Sequence, residues 1–117
     1  MVWKLDKSRP LCPQIYEHIC VRIACGELNP NERISSVREV ALQAGVNPNT
    51  VQKAFEGLEQ SGLIYSVRGS GWYVADNRET AEGIVKTLIR SKTAAFVKDM
   101  QGYGMSLDDI KKHIEEW

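Results

Sequence analysis

Between Ser36 and Leu58 one apolar spacing occurs twice across a very short turn, and this constrains the fold more than anything else in the chain. Val37, Val40, Ala41 and Ala44 stand at i, i+3, i+4 and i+7, and Val51, Ala54, Phe55 and Leu58 repeat that spacing. Each set makes a single stripe on a helix of 3.6 residues per turn. Ser36 and Glu39 have the spacing of a capping box at the first helix start. Gly45 can stop that helix, Asn47 can cap the next, and Pro48 suits its first position. Val46 can then staple onto Val51. Two striped helices joined by Gly45-Val46-Asn47 have the dimensions of a helix-turn-helix.

The flanks complete the architecture. A helix is expected to follow Pro13, with Ile15, Ile19 and Ile23 at four-residue intervals beside Tyr16 and Cys20, and with Gly26 as its stop. Residues 27–33 read as a loop, after which Ile34 can pair as a short strand. Leu63, Tyr65 and Val67 alternate with Ile64, Ser66 and Arg68, then Gly69-Ser70-Gly71 turns the chain into Trp72-Tyr73-Val74. That period of two around a glycine-rich turn predicts a β-hairpin, the wing of a winged helix. A polar linker over 75–80 leads to a long helix over about 80–100, carrying Ala81, Ile84, Val85, Leu88 and Ile89, then Ala95, Phe96 and Met100. Gly102-Tyr103-Gly104 breaks it, and Ser106 caps a last helix striped by Leu107, Ile110, Ile114 and Trp117. The expected fold is mainly α with a small β-hairpin. Residues 1–76 form a winged helix-turn-helix, and residues 77–117 a two-helix dimerisation region. The stripe of the last helix is too narrow and too terminal to be a core alone. Ile84, Leu88, Leu107, Ile110, Ile114 and Trp117 are therefore assigned to the contact between two copies.

Several functions are disfavoured. No apolar run approaches the roughly 18–20 residues needed to cross a bilayer. The start, Met1-Val2-Trp3-Lys4-Leu5-Asp6, lacks the apolar segment of a secretion signal, so the cytoplasm is the expected compartment. No nucleophile–base pairing, metal spacing or phosphate loop points to an enzyme, and no cofactor is expected. Cys12, Cys20 and Cys25 are odd in number and eight and five residues apart, which fits neither a disulfide framework nor a C-x-x-C site. With His18 near Cys20 they leave a thiol or metal sensor as one alternative, but idle thiols are the better reading.

Formal net charge is zero, and residues 1–76 carry eight Lys or Arg against eight Asp or Glu. Binding to nucleic acid must therefore rest on where charge is placed. From Val46 to Phe55 there is no acid and one base, Lys53; from Gln60 to Ala75 the only charge is Arg68. The second helix of the pair carries Asn49, Thr50, Gln52 and Lys53 opposite its apolar stripe, with Asn47 at its leading end. In a helix-turn-helix that end enters the major groove, where Asn and Gln amides can pair with adenine. Ser36 and Arg38 at the start of the first helix, and Arg68, Gly69 and Ser70 at the wing tip, complete the expected DNA-contacting set. The alternative from another class is a winged-helix module that binds proteins without DNA.

Five stretches carry a family resemblance: Pro13-Gln14-Ile15-Tyr16-Glu17, Ser36-Val37-Arg38-Glu39-Val40-Ala41, Gly45-Val46-Asn47-Pro48-Asn49-Thr50-Val51, Leu58-Glu59-Gln60-Ser61-Gly62-Leu63-Ile64 and Arg68-Gly69-Ser70-Gly71-Trp72-Tyr73-Val74. In unbroken order over about residues 10–75 they resemble the GntR family of bacterial winged-helix regulators. The resemblance implies regulation, most often repression, of an operon by a dimer on a palindromic operator. It also implies DNA contact by Arg38, Thr50 and Arg68-Gly69. Pro48 and Gln52 stand where the fatty-acid-responsive branch uses Arg, and Ser35 where the family commonly has Pro. The short two-helix end resembles the YtrA subfamily, whose members often control transporter operons. Neither the operator nor any small-molecule effector can be read from these residues.

Overall fold

The local signals around Ser36 and Asn47 work as their chemistry dictates. In the computed structural model, which describes residues 2–117, the chain runs α1 (Leu11–Ala24), α2 (Val37–Ala44), α3 (Pro48–Gln60), β1 (Ile64–Val67), β2 (Gly71–Val74), α4 (Arg78–Gly102) and α5 (Leu107–Glu115). The Ser36 hydroxyl accepts from the Glu39 amide at 3.1 Å, and the Glu39 carboxylate accepts from the Ser36 amide at 3.1 Å. The Asn47 side chain accepts from the Asn49 amide at 2.8 Å, with Pro48 in the first turn of α3. Gly45 closes α2 at φ +68°, a left-handed conformation that glycine adopts without a Cβ penalty.

Two expectations shift. α1 begins at Leu11, so Pro13 lies inside its first turn. The first four helical amides have no acceptor within the helix, so the missing proline N–H costs nothing there. β1 does not alternate as read: Leu63 and Ile64 are both buried, while Tyr65, Ser66 and Val67 are exposed. The strand leaves the core and carries its second half into solvent.

The hairpin is antiparallel, with Ile64 opposite Val74 and Val67 opposite Gly71, leaving Arg68-Gly69-Ser70 as the turn. Ile34 does pair: its amide donates to the Trp72 carbonyl at 2.9 Å, and Arg33 bridges Tyr73. The segment before α2 is thereby fastened to the wing.

The chain divides into two compact units, the first ending at Val85 and the second running Lys86–Trp117. In the first, Ile15, Ile19 and Ile23 of α1, Val40 and Ala41 of α2, and Val51, Ala54, Phe55 and Leu58 of α3 share one core with Leu63, Ile64 and Val74. The Phe55 ring meets Trp72 edge-on at 5.6 Å. Ala81 of α4 is fully buried in the same core, and Ile84 and Val85 pack against it. The first two turns of α4 thus belong with the winged helix. Arg78 supports this join, donating to the Ala24 carbonyl at 3.0 Å, as does Asn77, donating to the Gly62 carbonyl at 3.1 Å.

The second unit holds the rest of α4 and all of α5, whose start carries another capping box, Ser106 with Asp109. Among its described residues only Ile110 is buried. Ile89, Phe96, Leu107, Ile114 and Trp117 are exposed. A cleft of about 350 Å³ is lined by Phe96, Met100, His113, Ile114 and Trp117. No helix of the described residues is long and apolar enough to cross a membrane.

Candidate nucleic-acid interface

The face of α3 opposite its buried stripe is polar over its first two turns. Asn49 and Lys53 are exposed, and Thr50 and Gln52 half-buried. Asn47 spends its side-chain oxygen on the Asn49 amide, so Asn47 shapes the helix start while the Asn49 side chain stays outward. The Gln52 amide donates to Glu56 at 3.3 Å, an exposed contact between successive turns that fixes its direction along the helix. Such a bond is replaceable when a base edge offers an acceptor as well as a donor. The Ser36 amide and hydroxyl are both engaged with Glu39 in the capping box, while Arg38, in the first turn of α2, is exposed.

At the wing, Arg68 and Gly69 are exposed, and nothing lies within 4 Å of where a Gly69 Cβ would stand. A duplex can therefore approach the backbone closely. The Ser70 hydroxyl is hydrogen-bonded to the Tyr73 hydroxyl, and the Tyr65 and Tyr73 rings stack at 5.8 Å, stiffening the hairpin. Tyr65 also donates to the Asn31 side chain at 2.9 Å, a second tie between the loop before α2 and the wing.

Several acids have partners away from the face of α3. Asp6 accepts from Ser8 and pairs with Arg9, and these partners hold its carboxyl below the usual range. Glu27 pairs with Arg22, and Glu32 accepts from the Asn29 amide. Glu39 caps Ser36, whose amide and hydroxyl hold its carboxyl below its ordinary value. Arg38, Lys53 and Arg68 form no ion pair among the described residues. The cations assigned to DNA are thus unpaired, while Asp6 and Glu27 are each paired with a cation of their own.

Two cations that tie together the elements of this site escaped the sequence reading. Lys7 donates to the carbonyls of Gly45 at 2.6 Å and Ala44 at 3.3 Å, capping α2 with positive charge at the turn that sets α3. Arg33 donates to the Ser70 carbonyl at 3.2 Å. Both contacts join residues nearly forty positions apart, so no local pattern announces them; the only hint was the strand character of Ile34 next to Arg33.

Elsewhere the sulfur sites are simple. All three cysteines are free, and burial pushes the Cys20 thiol up to about 11. No cluster of three metal-binding side chains exists among the described residues. Of the residues assigned to the dimer contact, Ile84 packs on the winged-helix core and Ile110 is buried within its own chain. Leu88 is half-buried, and Leu107, Ile114 and Trp117 are exposed.

Residues 11–74 match the family model "Bacterial regulatory proteins, gntR family". The chain is 33% identical over 111 residues to the HTH-type transcriptional repressor YtrA of Bacillus subtilis, covering 93% of this chain and 85% of that protein. A GntR family transcriptional regulator from Listeria monocytogenes superposes with a TM-score of 0.81 at 30% identity, over 97% of this chain and 99% of that one. The DNA-binding domain of AraR, solved in complex with operator ORE1, superposes with a TM-score of 0.55 at 34% identity, over 64% of this chain and 94% of that one. The family and these relatives are transcription regulators, not enzymes.

Proposed function

The chain belongs to the GntR family of bacterial regulatory proteins, a family of DNA-binding transcription regulators, and from that premise we propose that it represses an operon as a homodimer on a palindromic operator. The observation that carries the reading is the outward face of α3. Its first two turns present Asn49, Gln52 and Lys53 with no acid among them. Each copy lays the start of α3 in a major groove and sets the Arg68-Gly69-Ser70 turn of the wing against the backbone or the neighbouring minor groove. Arg38 and Lys53 supply charge, Thr50 a methyl or hydroxyl, and Gln52 and Asn49 the base-reading amides. The subfamily resemblance points to transporter genes as the controlled unit and to the cytoplasm as the compartment.

The homodimer is supported by the second unit. One buried isoleucine does not hold 32 residues in place, since chains below about 40 residues ordinarily need oligomerisation, metals or disulfides. Covering Leu107, Ile114 and Trp117 with a second copy is worth about 1.5–3 kcal/mol for each side chain fully buried. Two copies are also what a binding half with few free cations requires, because joining the half-sites makes the second contact intramolecular. Selection of binding sites from random duplexes tests the assignment. Wild type should enrich an inverted repeat, and Gln52→Ala should change the preferred base at one position per half-site. The same motif from both proteins removes Gln52 from base reading.

A further inference from the structure

Arg33 stands where the loop before α2 is fastened to the wing. Its backbone bridges Tyr73, and its Nε donates to the Ser70 carbonyl at 3.2 Å, so one residue holds the turn that carries Arg68. The guanidinium lies over Gly71, where an added Cβ would stand 3.3 Å from Nε, and Gly71 has φ +132°. A side chain at 71 would be strained and would crowd the arginine, so glycine there serves both turn and guanidinium. On the other side, the Arg33 charge is felt by Glu39 in the first turn of α2. Glu39 is itself committed to the Ser36 amide, and no described carboxylate forms an ion pair with Arg33. Only one of the five guanidinium N–H groups has a partner, and the side chain is exposed.

We propose that Arg33 is a phosphate-contacting residue of the wing, its Nε–H holding the turn at Ser70 while its outer N–H groups grip the duplex backbone. The planar fork of a guanidinium matches two phosphate oxygens, and such a contact is independent of sequence. With Arg68 it gives the hairpin two cations instead of one. The proposal rests on the DNA-binding reading above, and the test separates the two.

Full-length wild type, Arg33→Gln, Arg33→Met and Arg33→Lys are titrated with a duplex of random sequence over a salt series, with thermal unfolding as a check on folding. Both neutral variants should bind more weakly at every salt concentration. Their plots of log affinity against log salt should be shallower by about 0.9 for each bound chain, the ion release of one lost phosphate contact. Arg33→Lys should restore the slope and part of the affinity. A wild-type slope in both neutral variants overturns the proposal even if affinity falls, because losing a phosphate contact must lower the number of ions released. Wild type that shows no salt-dependent binding removes the DNA-binding reading itself, and Arg33 with it.

Discussion

Up to Val85 the chain buries sixteen apolar side chains in one cluster, whereas from Lys86 to Trp117 only Ile110 is buried among the described residues. The contrast is not one of sequence quality. Both regions have amphipathic helices, and both use capping boxes, Ser36 with Glu39 and Ser106 with Asp109. They differ in how many elements converge. In the first unit three helices, a hairpin and the start of α4 surround each other, so every stripe finds a partner. In the second, part of α4 and a nine-residue α5 each have one apolar side too many. A frame that presents side chains to DNA has to be rigid by itself, while the surface proposed for a second copy is left uncovered in one.

Damage to the complete core should have the largest effect. Phe55 is fully buried against Trp72. Phe55→Ala should cost about 3–5 kcal/mol, read by urea unfolding. A loss of less than about 1 kcal/mol would mean that the core is not packed as described.

The two units should also respond differently to truncation. Ending the chain after Val85 should leave a folded winged helix. Ending it after Asp76 should lower stability, because Ala81, Ile84 and Val85 leave the core. Full burial of an Ile or Val is worth about 1.5–3 kcal/mol. Equal melting temperatures for the two truncations would place the boundary at the linker instead. Ile114→Asp should act in the opposite sense, leaving the melting of the first unit unchanged while light scattering reports dissociation. No change in mass would take Ile114 out of the partner surface.

The smallest effects lie at the caps. Ser36→Ala should cost about 1 kcal/mol, the usual worth of an N-cap. Glu39 adds a pH dependence. Its folded pKa is depressed, so its contribution is present above the unfolded carboxylate value near 4.3 and is lost as pH falls through the lower folded one. Glu39→Gln should flatten that part of a stability profile measured from pH 6 down to about pH 3. An unflattened profile would assign the acid loss to Asp6 or Asp109, whose carboxyls are also held low.

The parts legible in the sequence are those decided within four or five residues. Ser36-Glu39, Gly45 and Asn47-Pro48 fixed both helices and the turn, and the glycine-rich segment after Arg68 fixed the wing. The start of α1 was misjudged because a proline is tolerated throughout the first turn, not at one position of it. The alternation read into β1 failed because burial there depends on where the core ends. An unbroken helical period in α4 does not say that its first two turns face the winged helix. Lys7 and Arg33 were invisible for a related reason: what they touch is decided by folding, not by spacing.

The central question is whether two copies read one operator. The most direct measurement is the mass of the complex that full-length chain forms with the duplex it selects from a random pool. Two chains per duplex are expected, on an inverted repeat whose half-sites lie about one helical turn apart or a multiple of it. One chain per duplex, or a selected sequence without two-fold symmetry, would contradict it.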